Sequence, residues 1–281
     1  MKTSKFLSIT LVILLYQVHV VGQDYKYLKD STGLNGISAI NGIETPVIIK
    51  VIYDNYVNIE GLKSDWGYSI VIEGLDKNIL FDTGAKSEIF ESNFKNIGID
   101  AGKIDFLILS HEHGDHTEGI LAFSKLKKDI PVIIPYKFSE SFKNKMVAFG
   151  FEPLLVNEPV KICTNLYSSG EFSGPIPEQA LILNTKQGLV VMTGCSHPGI
   201  VDMLKEIKSM FKKNIYMVFG GFHLLQKSDN EMKQIIEDMK ALGVIKCGAT
   251  HCTGKRQTEM IKEAFGTNFV NLGVGNTIVI N

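Results

Sequence analysis

The sequence predicts an α/β protein, and three observations carry that reading. Helix-like stretches alternate with short apolar strand-like runs along most of the chain. Hydrophobic residues fill 44% of the 281 positions, enough for one large core or two small ones. Six of the seven histidines fall just beyond a strand-like run, where α/β proteins build their sites.

The N-terminus, Met1-Lys2-Thr3-Ser4-Lys5, is followed by an apolar run over residues 6–21. A basic start and an apolar middle predict a secretory signal over residues 1–22, cleaved before Gln23. An uncleaved anchor and a buried first helix are the alternatives. No cysteine lies near the cleavage point, so a lipoprotein anchor is not supported. Losing Lys2 and Lys5 takes the formal charge from -1 to about -3, and no stable membrane insertion is expected after cleavage. Residues 23–44 are polar and glycine-rich and are expected to form a loosely ordered leader. Residues 45–281 form the domain.

Strands are expected over residues 46–53, 68–73 and 78–81. Between the first two lies a segment, 54–67, with Tyr56, Gly61 and Trp66, the chain's one tryptophan. A loop of this length is a candidate lid or substrate wall, or else a packed surface hairpin. Helices follow over 87–97, 117–127, 139–149, 199–212, 230–242 and 255–265. Strands separate them over 106–109, 132–135, 180–184, 189–192, 215–219 and 246–250, and a strand over 276–280 closes the chain.

Charge narrows the function. The formal net charge is -1 and Arg256 is the single arginine, which argues against a nucleic-acid surface and for a small-molecule substrate. Nothing in the sequence fixes the oligomeric state. Cys163, Cys195, Cys247 and Cys252 could oxidise in an exported protein, but a core this large does not demand disulfides.

The chemistry is concentrated in His111-Glu112-His113-Gly114-Asp115-His116, directly after an apolar strand-like run. Three imidazoles and a carboxylate within six residues suit zinc or iron. In an extended stretch His111 and His113 point the same way and can reach one metal. The turn at Gly114 then sends Asp115 and His116 towards a second. His197, His223 and His251 each end a further apolar run, and Cys195 sits beside the first of them.

This run, together with Phe81-Asp82-Thr83-Gly84, resembles the motifs of the metallo-β-lactamase-fold hydrolases. The resemblance implies an αββα four-layer sandwich carrying its metals along one edge. It also implies one metal on His111, His113 and His197 and a second on Asp115, His116 and His251, each with an open position for substrate. A water at such a site would have a pKa of about 7. Zinc is the default, one or two ions, with iron or manganese accepted by the same ligands. Asp82 would hydrogen-bond a ligand histidine. The superfamily's bridging carboxylate has no clear counterpart: Cys195 stands at its position, and Glu178 is another acidic candidate. A single-metal site therefore stays open, with His223 left to bind an anion, shuttle a proton or replace a ligand.

Three downstream motifs, Thr193-Gly194-Cys195-Ser196-His197-Pro198-Gly199-Ile200, Gly220-Gly221-Phe222-His223-Leu224 and Thr250-His251-Cys252-Thr253-Gly254, look like the dihydropterin synthase-like subgroup. That subgroup is named for joining a pterin diphosphate to a ribofuranosyl-aminobenzene phosphate. It often carries Glu-His-Gly-Leu-Ser where this chain has Asp65-Trp66-Gly67-Tyr68-Ser69. The departure, and the signs of export, favour a hydrolase of esters, lactones or phosphoesters, using Asp115 and His223 in catalysis. The transferase is the alternative, and a non-catalytic metal-binding protein is the second. Trp66, Lys255 and Arg256 are candidate substrate contacts, the last two as a phosphate site at a helix start.

Overall fold

The computed structural model describes residues 13–20, 23–30, 43 and 45–281. In chain order the strands and helices are β1 (Ile13–Val20), β2 (Gln23–Asp30), β3 (Val47–Tyr53), β4 (Ser69–Glu73), β5 (Asn78–Phe81), α1 (Ser87–Asn96), β6 (Ile104–Ile108), α2 (Gly114–Thr117), α3 (Ile120–Leu126), β7 (Pro131–Pro135), α4 (Glu140–Ala148), β8 (Glu152–Val156), β9 (Val160–Cys163), β10 (Leu166–Ser168), β11 (Leu181–Asn184), β12 (Leu189–Thr193), α5 (Ile200–Phe211), β13 (Ile215–Gly221), α6 (Asp229–Ala241), β14 (Lys246–Thr250), α7 (Lys255–Phe265) and β15 (Thr277–Ile280).

The strands form two sheets. One has nine strands in the order β1-β2-β8-β7-β6-β5-β4-β3-β15, the other six in the order β14-β13-β12-β11-β10-β9. Strand side chains alternate between faces, so each sheet has an inner and an outer set. Ile49, Ile70, Phe81 and Ile108 of the first sheet pack against Leu181, Leu183, Val190 and Phe219 of the second. On the outer face of the first sheet, Leu80, Leu107 and Val132 meet Phe90, Phe94, Phe123 and Phe142 of α1, α3 and α4. On the outer face of the second, Ile182, Val191 and Val218 meet Leu204, Met232 and Ile261 of α5, α6 and α7. The result is the αββα sandwich. Ser228 and Glu231 form a reciprocal capping box on α6, and Ser139 caps α4.

Three sequence expectations need correction. Residues 23–30, expected in a loose leader, form β2, which pairs antiparallel with β1 and parallel with β8. Residues 152–168, where no strand was expected, hold β8, β9 and β10. The chain also bends at residues 110–112, so His111 and His113 do not lie on a continued strand, and Asp115 and His116 fall in the single turn of α2. Of the expected signal over residues 1–22, positions 1–12, 21 and 22 lie outside the described residues; the rest is β1, the outermost strand of its sheet. Among the described residues no helix is long and apolar enough to cross a membrane.

Candidate metal centre

Four site residues turn the chain sharply after a strand. Asp82, Ser196, His223 and His251 all have left-handed backbones, with φ of 58°, 62°, 52° and 51°. They follow β5, β12, β13 and β14. Such a conformation costs an L-residue about 1–2 kcal/mol and gathers where a site over-determines it.

Asp82 shows what does the determining. Its Oδ1 accepts from the Ser110 backbone N–H at 2.7 Å, and its Oδ2 accepts from Ser110 Oγ at 2.7 Å. The same Oδ2 hydrogen-bonds His116 Nδ1 at 2.7 Å, and Ser110 Oγ hydrogen-bonds His111 Nδ1 at 2.8 Å. One carboxylate therefore engages the Nδ1 of His116 directly and that of His111 through Ser110, and turns both Nε2 atoms inwards. Gly194 makes room for it: a Cβ there would stand 2.1 Å from Ser110 Oγ. On the far side Asn55, in the long loop after β3, hydrogen-bonds His251 Nδ1 at 2.9 Å.

The inward atoms converge. The ligand atoms of Asp115, His116, Cys195 and His251 all lie within 4.8 Å of one another, as do those of His111, Cys195 and His197. His116 Nε2 is 3.1 Å from His251 Nε2 and 3.2 Å from Cys195 Sγ, and His251 Nε2 is 3.3 Å from Asp115 Oδ2. His113 adjoins the second group, its ring centroid 4.8 Å from that of His111 and 4.7 Å from that of His197. His223 stands against His197, centroids 4.3 Å apart, and joins Cys195 and Cys252 in a third group.

Electrostatics fit a cation. Burial pushes His111 well below the usual imidazole range, and His116 and His197 push it further. His197 is lowered to about 3 by burial, with His223 and His113 adding to it. Both therefore stay neutral, the form that ligates. Burial acts against the charge of His116, but Asp82 outweighs it and raises that ring to about 9, so a cation would have to displace its Nε2 proton in order to bind there. Burial also acts against the charge of Asp115, yet the His251 hydrogen bond and the His116 and His251 charges hold it below the usual carboxylate range. The Nε2 atoms of His111 and His197 are buried and have no hydrogen-bond partner in the protein. Buried polar atoms are seldom left so, and a metal ion is what this donor set would satisfy.

The remaining candidates divide. Trp66 reaches the site: its Nε1–H donates to Asp115 Oδ2 at 2.7 Å, and its ring centroid is 5.0 Å from that of His251. Glu178 is not placed as a bridge. Its Oε1 accepts the backbone N–H groups of Cys195 and Ser196 at 2.8 and 2.9 Å, and its Oε2 accepts that of His197 at 2.8 Å. Lys255 and Arg256 do not form the expected phosphate site beside the imidazoles. Arg256 clasps Asp229 with Nε and Nη2, tying α7 to α6. Lys255 lines a separate cavity of about 500 Å³ with Tyr56, Thr258 and Lys262. Two other cavities open beside the centre. One of about 350 Å³ is lined by Trp66, His223, Leu225, Lys227 and Cys252. The other, of about 400 Å³, is lined by His197, Pro198, His223 and Leu224. The four cysteines are free thiols.

Sequence reasoning missed Ser110, Asn55 and Cys252. Ser110 and Cys252 each adjoin a predicted ligand, which is a usable signal. Asn55 lies in the loop singled out for Trp66.

Residues 67–194 match the profile of the Metallo-beta-lactamase superfamily. The 7,8-dihydropterin-6-methyl-4-(β-D-ribofuranosyl)-aminobenzene-5'-phosphate synthase of Methanocaldococcus jannaschii is 32% identical over 264 residues, 76% of this chain and 90% of the relative. The chain belongs to the metallo-β-lactamase superfamily. Within that superfamily it is similar in structure to a crystallised metal-dependent hydrolase, Tm1679, at 28% identity and a TM-score of 0.70, covering 83% of this chain and 98% of that one. Its fold is also that of YhfI from Bacillus subtilis, at 18% identity and a TM-score of 0.63, covering 83% and 99%.

Proposed function

We propose that the chain is an exported metal-dependent hydrolase acting on an ester, lactone or phosphoester. The observation that carries this reading is the pair of buried ligand groups meeting at one thiol, with two imidazole Nε2 atoms left without a protein partner. In this reading His111, His113 and His197 hold one divalent cation, and Asp115, His116 and His251 hold the other. Zinc suits this donor set best.

The metal, when bound, supplies Lewis-acid polarisation of the scissile bond and activation of water. The chain's own residues do the rest. Asp82 orients His116 directly and His111 through Ser110. Trp66 holds Asp115 and, with Leu225, walls the substrate cavity against bulk water. His223 is exposed at the mouth of both cavities, where it can hand a proton to a leaving group.

The second reading is transfer of a pterin group to a ribofuranosyl-aminobenzene phosphate. It is favoured by the 32% identity to the synthase of that name. A panel of esters, lactones and phosphoesters, run beside that substrate pair, separates the two by product. Elemental analysis of the wild type and His251→Ala tests the centre beneath both. Two metals falling to one is expected; equal metal content in the two proteins overturns the two-group assignment. Export rests on Lys2, Lys5 and the apolar run after them. Among the described residues, removal of residues 1–22 would take β1, the outermost strand of its sheet, and an intact mass starting at Gln23 is the expected result.

A further inference from the structure

Cys195 Sγ belongs to all three groups of ligand atoms. It lies within 4.8 Å of the donors of Asp115, His116 and His251, of those of His111 and His197, and of those of His223 and Cys252. No other residue is common to the first two groups, which are the two halves of the proposed centre. The thiol is 2% exposed, and its sulfur is 3.2 Å from His116 Nε2. It is also held rigidly. Glu178 takes the backbone N–H groups of three consecutive residues, Cys195 to His197, and Gly194 packs against Ser110 with no room for a side chain.

The carboxylates nearby are committed elsewhere. Both oxygens of Asp82 are engaged by Ser110 and His116, and both oxygens of Glu178 by the 195–197 backbone. Asp115 belongs to one group alone. An oxygen bridge from the protein is therefore absent among the described residues at the junction of the two groups, and a sulfur stands there.

Resting on the metal-centre reading above, we infer that the Cys195 thiolate is the protein ligand shared by the two halves of the centre, in the place of a bridging carboxylate. The thiol gives up its proton to solvent as the cation binds, and the sulfur lone pairs become the bonds to the metal. A thiolate among imidazoles favours zinc, iron(II) or cobalt(II) over magnesium or manganese. Hydrolysis of an oxygen-rich substrate would then run on a centre chosen by sulfur.

Cobalt(II) titration of the metal-free full chain tests this, read by stoichiometry and by sulfur-to-cobalt charge-transfer absorption in the near ultraviolet. The wild type should take two equivalents and show the band. Cys195→Ser should lose the band and bind the weaker equivalent at least about tenfold less tightly, since even residues behind a ligand are worth that much. Cys195→Asp should restore two equivalents without the band, and carries the test if the serine variant fails to fold. Cys252→Ser should keep the band. Two equivalents of cobalt with no band in the wild type would overturn the thiolate bridge and leave the metal centre standing. A band that persists in Cys195→Ser and disappears in Cys252→Ser would do the same. A wild type that binds no cobalt would overturn both.

Discussion

Trp66 donates its indole N–H to Asp115 Oδ2 at 2.7 Å while its ring rests against His251. The chain's one tryptophan thus touches two proposed ligands of the same metal. Adding zinc to the metal-free protein should shift or quench its fluorescence in step with the metal bound. Trp66→Phe keeps a ring but removes the hydrogen bond. A bond to a charged group is worth about 1.5–3 kcal/mol when buried, less here because the indole is half exposed. A loss of roughly three- to tenfold in activity is expected, and kinetics indistinguishable from wild type would show that this bond does not position Asp115.

Asp82→Asn asks how much one carboxylate organises. Asparagine tolerates the left-handed backbone that Asp82 adopts, so the strand end should survive. The amide cannot accept at both oxygen positions, so Ser110 or His116 loses its partner. Metal affinity should fall about 10- to 100-fold with the circular dichroism unchanged. Competition with a chromophoric chelator reads the affinity, and an unaltered value would remove Asp82 from this role.

The legible part of this molecule is local. The run from His111 to His116 packs its chemistry into six residues, and β12 and β13 are apolar on both faces because helices cover the outer one. What stayed hidden depends on contacts across the chain. Gln23–Asp30 is polar in sequence, yet it joins the sheet by backbone bonding to β8, with Tyr25 and Leu28 buried. The strands β8 to β10 are three to five residues long and carry Pro153 and Asn165 at or between them, too short for a periodic signal. Arg256 reads as a phosphate ligand until Asp229, on another helix, is seen to hold it. Glu178 reads as a metal ligand until the backbone it clamps is in view.

Asp54 supplies a pH dependence from behind the His251 loop, through its hydrogen bond from Thr250. It is buried, and burial raises its pKa to about 7 against the opposing hydrogen bonds from Thr250 and the Tyr56 backbone. A folded pKa above the unfolded value means that the folded state holds the proton more tightly. The associated stability is present below about pH 4 and is lost as pH rises through about 7. Against Asp54→Asn, which has no such proton, the wild type should therefore lose relative stability between pH 4 and 8. At 1.36 kcal/mol per pKa unit the loss is at most about 4 kcal/mol. Urea unfolding of both proteins across that range measures it, and Glu178, common to both, cancels. A stability difference flat with pH would refute the assignment.

Glu178→Gln isolates the clamp on the loop that carries Cys195 and His197. Burial raises this carboxyl to about 7, while the three backbone N–H groups it accepts pull the other way. Glutamine can keep one oxygen on the Cys195 and Ser196 N–H groups, but its amide nitrogen then faces the His197 N–H, donor against donor. Turning the amide over leaves two N–H groups unmet instead of one. Either way His197 should shift from its place beside His111. Losing one such bond to a charged acceptor costs about 1.5–3 kcal/mol, so the melting temperature should fall while the protein still folds. Metal stoichiometry should fall on the side of His111 and His197, and a cobalt spectrum identical to wild type would show that the clamp serves stability alone.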